Sequence, residues 1–349
     1  MVNSMSKNPR KPVEIYGHRG SRAYAPENTI PAFDFAIKSG VDYLDMDIVV
    51  TADNVIVASH DLWLNPDIIM QHGRYINHSE RKLVKNLTFN ELQTYNVGLN
   101  PNSNYAKFFP LQQLVPNTKI PSLQQVIDHV NNVTCTNHID ASHTGSNTAN
   151  SNYVNLKCSN HNSLNHNSPA KYPVKCPIRY QIEVKNDPLH PEYSLSPIKL
   201  ATLLYDILSV NNLLEYTEVQ AFDWNILFEL QKLNPKIKTA YLLSADDIYR
   251  MQHNDINLAN LYHAGYLLKD FNYSIPQMIK SLGGSCYDPE DTALTKNDLD
   301  TAHNLGLKVV VWRYPEMSGS IFDPILMQKL VAWGVDGVIV DDPTIKIKF

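Results

Sequence analysis

A chain of 349 residues, 43% hydrophobic and 19% charged, has apolar material for one large core, and its net charge of -5 offers no overall positive field to recruit nucleic acid. Its longest apolar runs, such as Leu307 to Trp312 and Val335 to Val340, fall far short of the roughly 20 residues that span a bilayer, so no transmembrane segment is predicted. The opening MVNSMSKNPRKPVEIYG carries basic residues but lacks the apolar stretch of a signal peptide, an expectation of a cytoplasmic chain.

Short β-branched runs then alternate with amphipathic stretches, the pattern of strand-helix units around a parallel sheet. The predicted strands are Val13 to Gly17, Tyr43 to Val50, Val55 to Ser59, Tyr180 to Val184, Tyr216 to Ala221, Lys238 to Leu243, Gly265 to Leu268, Leu307 to Trp312 and Gly337 to Val340. Thr29 to Ser39 reads as a helix, with Ile30, Phe33 and Ile37 on one face and Gly40 as its stop. Further helices are predicted over Ser122 to Val130, Pro197 to Val210, Trp224 to Leu233, Ile275 to Leu282, Lys296 to Leu305 and Pro324 to Trp333. The fold class is α/β, a single barrel of the TIM (β/α)8 type over residues 13–349.

Two segments interrupt the alternation. Leu62 to Thr118 lacks a clean repeat and reads as a small cap inserted after the second strand. Thr134 to Lys175 is dense in Asn, Ser and His, a low-complexity insertion unsuited to a packed core. Cys135, Cys158 and Cys176 fall in or beside it with His138, His143, His161 and His166, but no Cys-x-x-Cys or fixed His spacing marks a zinc cluster, and a solvated loop is the expectation. A disulfide among these cysteines would indicate an oxidising compartment.

The chemistry-bearing residues stand at strand ends. His18 and Arg19 lie in Gly17-His18-Arg19-Gly20 directly after the first strand, where a barrel places its reacting groups. An imidazole there can donate or accept a proton near neutral pH, and a guanidinium can fork onto phosphate oxygens. Asp45 and Asp47 are two apart on the next strand and so point the same way. They either serve loop backbone or flank a hard divalent cation such as Mg²⁺ or Ca²⁺. His60 follows the third predicted strand, and Glu183 with Lys185 repeats the same-face spacing at a fourth strand end. Two histidines, a metal and cations for phosphoryl oxygens suit phosphodiester cleavage.

The string HRG, then PENT at Pro26 to Thr29, the acidic pair, TADNVIVASHD, IEVK, Phe222-Asp223-Trp224, LGLKVVVW and GVDGVIVDDP together resemble the glycerophosphodiester phosphodiesterase family. The resemblance implies a TIM barrel that hydrolyses a small-molecule glycerophosphodiester to sn-glycerol 3-phosphate and an alcohol, with His18 and His60 as acid and base. It implies one divalent cation, Ca²⁺ or Mg²⁺, at Asp45, Asp47 and Glu183, with Arg19 and Lys185 on phosphate and Trp312 lining the pocket. The family's frequent export is the alternative to a cytoplasmic location. Asp45 stands where the family usually has Glu, reaching roughly 1.5 Å less, and Arg313-Tyr314-Pro315 replaces the family's frequent Thr-Val-Asn after Trp312. Of PENT, Asn28 or Thr29 is expected to cap the following helix, with Glu27 behind the site. The competing readings are a lysophospholipase D-like lipid phosphodiesterase and a barrel that binds metal and diester without turnover.

Overall fold

The structure, a computed structural model, describes residues 12–98, 106–135, 177–313 and 323–345. The Asn-rich insertion from residue 136 onward, with its histidines, Cys158 and Cys176, and Tyr314 and Pro315, lie outside the described residues, whereas Thr134 and Cys135 end a helix.

The chain enters through β1 (Glu14–Gly17), α1 (Ile30–Ser39), β2 (Tyr43–Val50) and β3 (Ile56–Ala58), followed by a two-stranded ribbon of β4 (Met70–Gln71) and β5 (Arg74–Tyr75), then α2 (Phe89–Leu92) and α3 (Leu123–Cys135). The regular alternation resumes with β6 (Arg179–Val184), α4 (Pro197–Val210), β7 (Thr217–Ala221), α5 (Trp224–Leu233) and β8 (Lys238–Leu243). Three helices follow, α6 (Ala245–Gln252), α7 (Ile256–Tyr262) and α8 (Ile275–Ser281), and the chain closes with β9 (Cys286–Pro289), α9 (Lys296–Asn304), β10 (Lys308–Val311), α10 (Pro324–Trp333) and β11 (Gly337–Val340).

The parallel strands run in the order β1, β2, β6, β7, β8, β9, β10, β11, and β11 returns to pair with β1, closing an eight-stranded barrel. β3 folds back antiparallel on the end of β2, pairing Ile48 with Ala58 and Val50 with Ile56. Local sequence explains the helix ends. Thr29 caps α1 by accepting from the Ala32 amide, Ala32, Phe33, Ala36 and Ile37 form its buried face, and Gly40 at φ 79° terminates it in the left-handed conformation that glycine adopts without strain. Residues 62–98 build a second, smaller hydrophobic cluster, in which Leu64, Ile69, Ile76, Leu92 and Tyr95 pack with Val49 of β2 and Val57 of β3. Among the described residues, no helix is long and apolar enough to cross a membrane.

One predicted strand is corrected. Gly265 to Leu268 is a turn leading into a 3-10 helix (Leu268–Phe271), because Ala264 and Gly265 both take positive φ, 51° and 85°, which an extended strand excludes. The strand in that place is β9, whose Cys-Tyr-Asp-Pro lacks β-branched residues and gives no alternating pattern. The helices α6 and α7, absent from the sequence reading, are an addition on the C-terminal side of β8.

The barrel interior is polar at its base. Tyr16 and Tyr43 stack at 4.2 Å and both hydroxyls donate to Glu218, at 3.1 and 2.8 Å, while Lys308 pairs with the same carboxylate at 3.0 Å. Above them, Gln181 Nε2 donates to Asp288 Oδ2 at 2.8 Å and the Cys286 thiol faces Oδ1 at 2.7 Å. Burial pushes the Asp288 carboxyl up to about 8, so it is held protonated at neutral pH. An acid whose folded pKa lies above its unfolded value of about 3.9 favours the native state fully below that value and loses this contribution as pH rises toward 8. Asp288→Asn is therefore expected to raise Tm progressively between pH 5 and pH 8, by about 2 °C or more at the upper end. Thermal unfolding of both proteins across that range checks this, and parallel Tm profiles would contradict it.

Candidate active site

The first βα turn sets the geometry. Arg19 takes φ 49° and Gly20 φ 84°, and a Cβ on Gly20 would stand 2.6 Å from the Ala32 backbone, so the turn presses directly on α1. A non-glycine residue at positive φ is held only where its surroundings insist. Here the Arg19 amide faces Asp45 Oδ2 at 3.4 Å, and the Gly20 amide donates to Asp45 O at 3.1 Å. The His18 amide donates to Val340 O at 2.9 Å, tying this turn to the last strand as well.

Seven of the eight predicted site residues line one pocket of about 60 Å³ at the C-terminal ends of the strands: His18, Arg19, Asp45, His60, Glu183, Lys185 and Trp312. Asp47 is joined to it through ion pairs, Arg19 Nε at 3.2 Å and Lys185 Nζ at 3.1 Å. Lys185 also pairs closely with Glu183, bridging the two carboxylates. Trp312 is held by its indole N–H on Asp288 O at 3.0 Å and meets Phe222 edge-on at 5.8 Å.

Each histidine has its own aspartate. His18 Nδ1 lies 2.7 Å from Asp341 Oδ1, and His60 Nδ1 lies 2.8 Å from Asp61 Oδ1. A carboxylate on Nδ1 fixes the tautomer and leaves Nε2 for proton transfer. Asp341 is held in turn by the wholly buried Arg22, whose Nε donates to it at 2.8 Å, and Asn65 donates to Asp61 at 2.7 Å. Burial pushes His18 below its usual range against the pull of Asp341, whereas Arg22 and His18 hold the Asp341 carboxyl low despite its burial. Burial likewise opposes the ionisation of Asp61, but the hydrogen bond from His60 brings it down to about 2.

The carboxylates differ in the charge they carry. Burial, with Asp47 and Glu183 adding repulsion, pushes Asp45 well above the ordinary range. Burial also raises Glu183, with Lys185 opposing, while in Asp47 the same burial is outweighed by Lys185 and Arg19, which hold it well below. Three carboxylate groups are hard oxygen donors of the chemistry that Mg²⁺ or Ca²⁺ takes. Among the described residues, no three histidine, cysteine or carboxylate groups are gathered closely enough to hold a metal ion as they stand. Lys185 instead takes the notch between Asp47 and Glu183.

Several contributors escaped the sequence reading. Asn28, expected as a possible helix cap, instead donates Nδ2 to Asp47 Oδ2 at 2.8 Å and accepts from the Asp47 amide at 3.2 Å, leaving Thr29 as the cap. Gln220 Nε2 donates to Asp45 Oδ1 at 2.8 Å, while Glu27, which the sequence did single out, accepts from Arg19 Nη1 at 2.8 Å. Asp341 carried a signal in the sequence, being the first residue after the last strand, the same placement that drew attention to His18. Arg22 carried none.

A parallel barrel gathers imidazoles, cations and carboxylates at one mouth, groups able to bind oxyanions and to move protons. The model of the glycerophosphoryl diester phosphodiesterase family matches residues 18–166 and 179–345, and the chain belongs to that family. The provisionally named glycerophosphodiester phosphodiesterase YhdW of Bacillus subtilis (strain 168) is 40% identical over 84 residues, which are 24% of this chain and 30% of that protein. A protein from Silicibacter pomeroyi DSS-3, provisionally named a glycerophosphoryl diester phosphodiesterase, superposes with a TM-score of 0.70 at 23% identity, covering 96% of this chain and 92% of that one. A phosphodiesterase from Oleispira antarctica, solved in complex with the product sn-glycerol-3-phosphate, superposes with a TM-score of 0.56 at 15% identity over 95% and 94% of the two chains. At such identities the structures speak for the fold.

Since Asp341 raises the affinity of His18 for its proton, Asp341→Asn is expected to lower the His18 pKa further and to loosen its tautomer. Nitrogen NMR of the imidazole across a pH titration reads both, and an unchanged His18 titration would show that the contact does not tune it.

Proposed function

We propose that this chain is a metal-assisted glycerophosphodiester phosphodiesterase, splitting the diester into sn-glycerol 3-phosphate and an alcohol. One observation carries the reading: two histidines, each steadied at Nδ1 by its own aspartate, line one small pocket with Arg19 and Lys185. Such a pair can take a proton from an attacking hydroxyl and return one to the departing oxygen. Family membership supports this reading, as does the sn-glycerol-3-phosphate bound by the Oleispira relative.

In this mechanism Arg19 and Lys185 receive the phosphoryl oxygens, and Trp312 walls the glycerol end. His18, deep in the pocket and fixed by Asp341, is the base toward water, taking its proton as the oxygen attacks phosphorus. His60 borders both the pocket and the open groove beside it. It therefore protonates the alcohol oxygen as its bond to phosphorus breaks. Asp45, Asp47 and Glu183 would hold a divalent cation, which when bound supplies positive charge against the phosphoryl oxygens. Arg22, through Asp341, and Asn28, through Asp47, keep these groups in register.

The assay is release of sn-glycerol 3-phosphate from glycerophosphocholine and glycerophosphoethanolamine, with EDTA and then with Ca²⁺ or Mg²⁺ restored. Wild type is expected to depend on the cation, and His18→Ala and His60→Ala each to lose about 100-fold or more in kcat. Turnover that survives both substitutions, or full activity in EDTA, would refute the acid-base pair or the metal respectively. Cleavage of lysophospholipids in preference to these diesters would transfer the site to a lipid substrate.

A further inference from the structure

The segment between β3 and α3 reaches both histidines of the acid-base pair, one from each of its ends. At its start Asn65 donates to Asp61, the aspartate on His60 Nδ1. Its later part reaches His18 by a longer route. Phe109, only 2% exposed, sets the centre of its ring 4.4 Å from the guanidinium carbon of Arg22. Gln112 Nε2 donates to Arg22 O at 2.8 Å and the Gln113 amide to Tyr24 O at 2.9 Å, so residues 109–113 are fastened along the turn that follows His18.

Arg22 is the middle of that route. Its Nε and Nη2 fork onto Asp341 at 2.8 and 3.2 Å, and its Nη1 lies 3.9 Å from Glu27. Asp341 Oδ1 therefore has two partners, Arg22 Nε and, at 2.7 Å, His18 Nδ1, and Arg22 Nη2 stands 3.4 Å from the same imidazole nitrogen. The lie of the guanidinium decides how that oxygen is shared. The backbone of Asp341 is fixed separately, by the Ala23 amide on its carbonyl at 3.1 Å, so what Arg22 sets is the rotation of the carboxylate. A planar cation keeps such a fork only while its plane is held. Phe109 packs on that plane, and its ring also attracts the charge of a guanidinium that is wholly buried.

We infer that Phe109 and Gln112 are positioning residues for His18, acting through Arg22 and Asp341, so that the one segment after β3 aims both histidines. This rests on the phosphodiesterase reading above. Phe109 and Gln112 do not line the reaction pocket, and Arg19 and Lys185, which receive the phosphoryl oxygens, do. Loss of the Phe109 ring therefore leaves the phosphate contacts in place and reaches the reaction only through the aim of the imidazole. A misaimed base slows proton transfer more than it weakens binding, so the effect falls on kcat rather than on KM.

The test joins turnover of glycerophosphocholine to nitrogen NMR of the histidine side chains, with the His18 and His60 signals assigned by their loss in His18→Ala and His60→Ala. The proteins are wild type, Phe109→Leu, Phe109→Tyr, Gln112→Ala and Asn65→Ala. Phe109→Leu is expected to lower kcat about tenfold at little-changed KM and to move the His18 nitrogens while those of His60 stay in place. Phe109→Tyr, which keeps the ring, recovers most of that loss, and Asn65→Ala moves the His60 nitrogens alone. Should Phe109→Leu fold poorly, Gln112→Ala carries the comparison, with the same signature at smaller size. His18 signals and kcat indifferent to both substitutions would overturn the inference and leave the proposed activity standing. So would a loss carried by KM with both histidines disturbed alike, the mark of a merely structural role. His18 signals that follow Phe109 in a protein that cleaves no diester would keep the coupling and remove the activity.

Discussion

Asp47, buried within β2, accepts a hydrogen bond from Asn28 and lies against Arg19 and Lys185, and the mouth of the barrel is arranged around that charge. A lone carboxylate out of water is costly, so its neighbours must be cations or donors. Those neighbours come from the first βα turn and from the adjacent strand β6, so stabilising one charge ties three chain segments together. The same turn, with Arg19 at positive φ and Gly20 against α1, also brings His18 beside Asp341 from the last strand. The two ends of the barrel sheet are thereby joined at the site as well as by their ladder.

This coupling explains why the site is polar to an extent that burial alone would forbid. Asp45, Glu183 and Asp47 stand side by side, and burial, with the repulsion of Asp47 added to it, raises the affinity of Asp45 and Glu183 for protons. Lys185 offsets part of this by pairing with both Asp47 and Glu183. The base of the barrel uses a balanced version of the same device: Glu218 is satisfied by Lys308 and two tyrosine hydroxyls. The contrast between a compensated base and an under-compensated mouth is what separates the structural end of the molecule from its reactive end.

Much of this was legible in the residues. Strand alternation places Asp45 with Asp47 and Glu183 with Lys185 on common faces, and strand ends collect His18 and His60, because a period of two and a parallel barrel leave little freedom. β9 was not legible, since its place in the barrel depends on pairing with β8 and β10 rather than on β-branched residues of its own. Gly265 to Leu268 looked extended only because its apolar residues were read without the backbone conformation that Ala264 and Gly265 adopt.

By itself the sequence determined the alternating elements, the barrel class and the set of groups offered at the strand ends, because these follow from local periodicity and from which residues can carry charge. Only the tertiary structure decided how those groups are paired. Asp341 serves His18 across 323 residues, Gln220 serves Asp45 across 175, and Arg22 is wholly buried behind them. Such partnerships depend on barrel closure and on which side chains share a buried space, and that is set by three-dimensional packing, which no local spacing records.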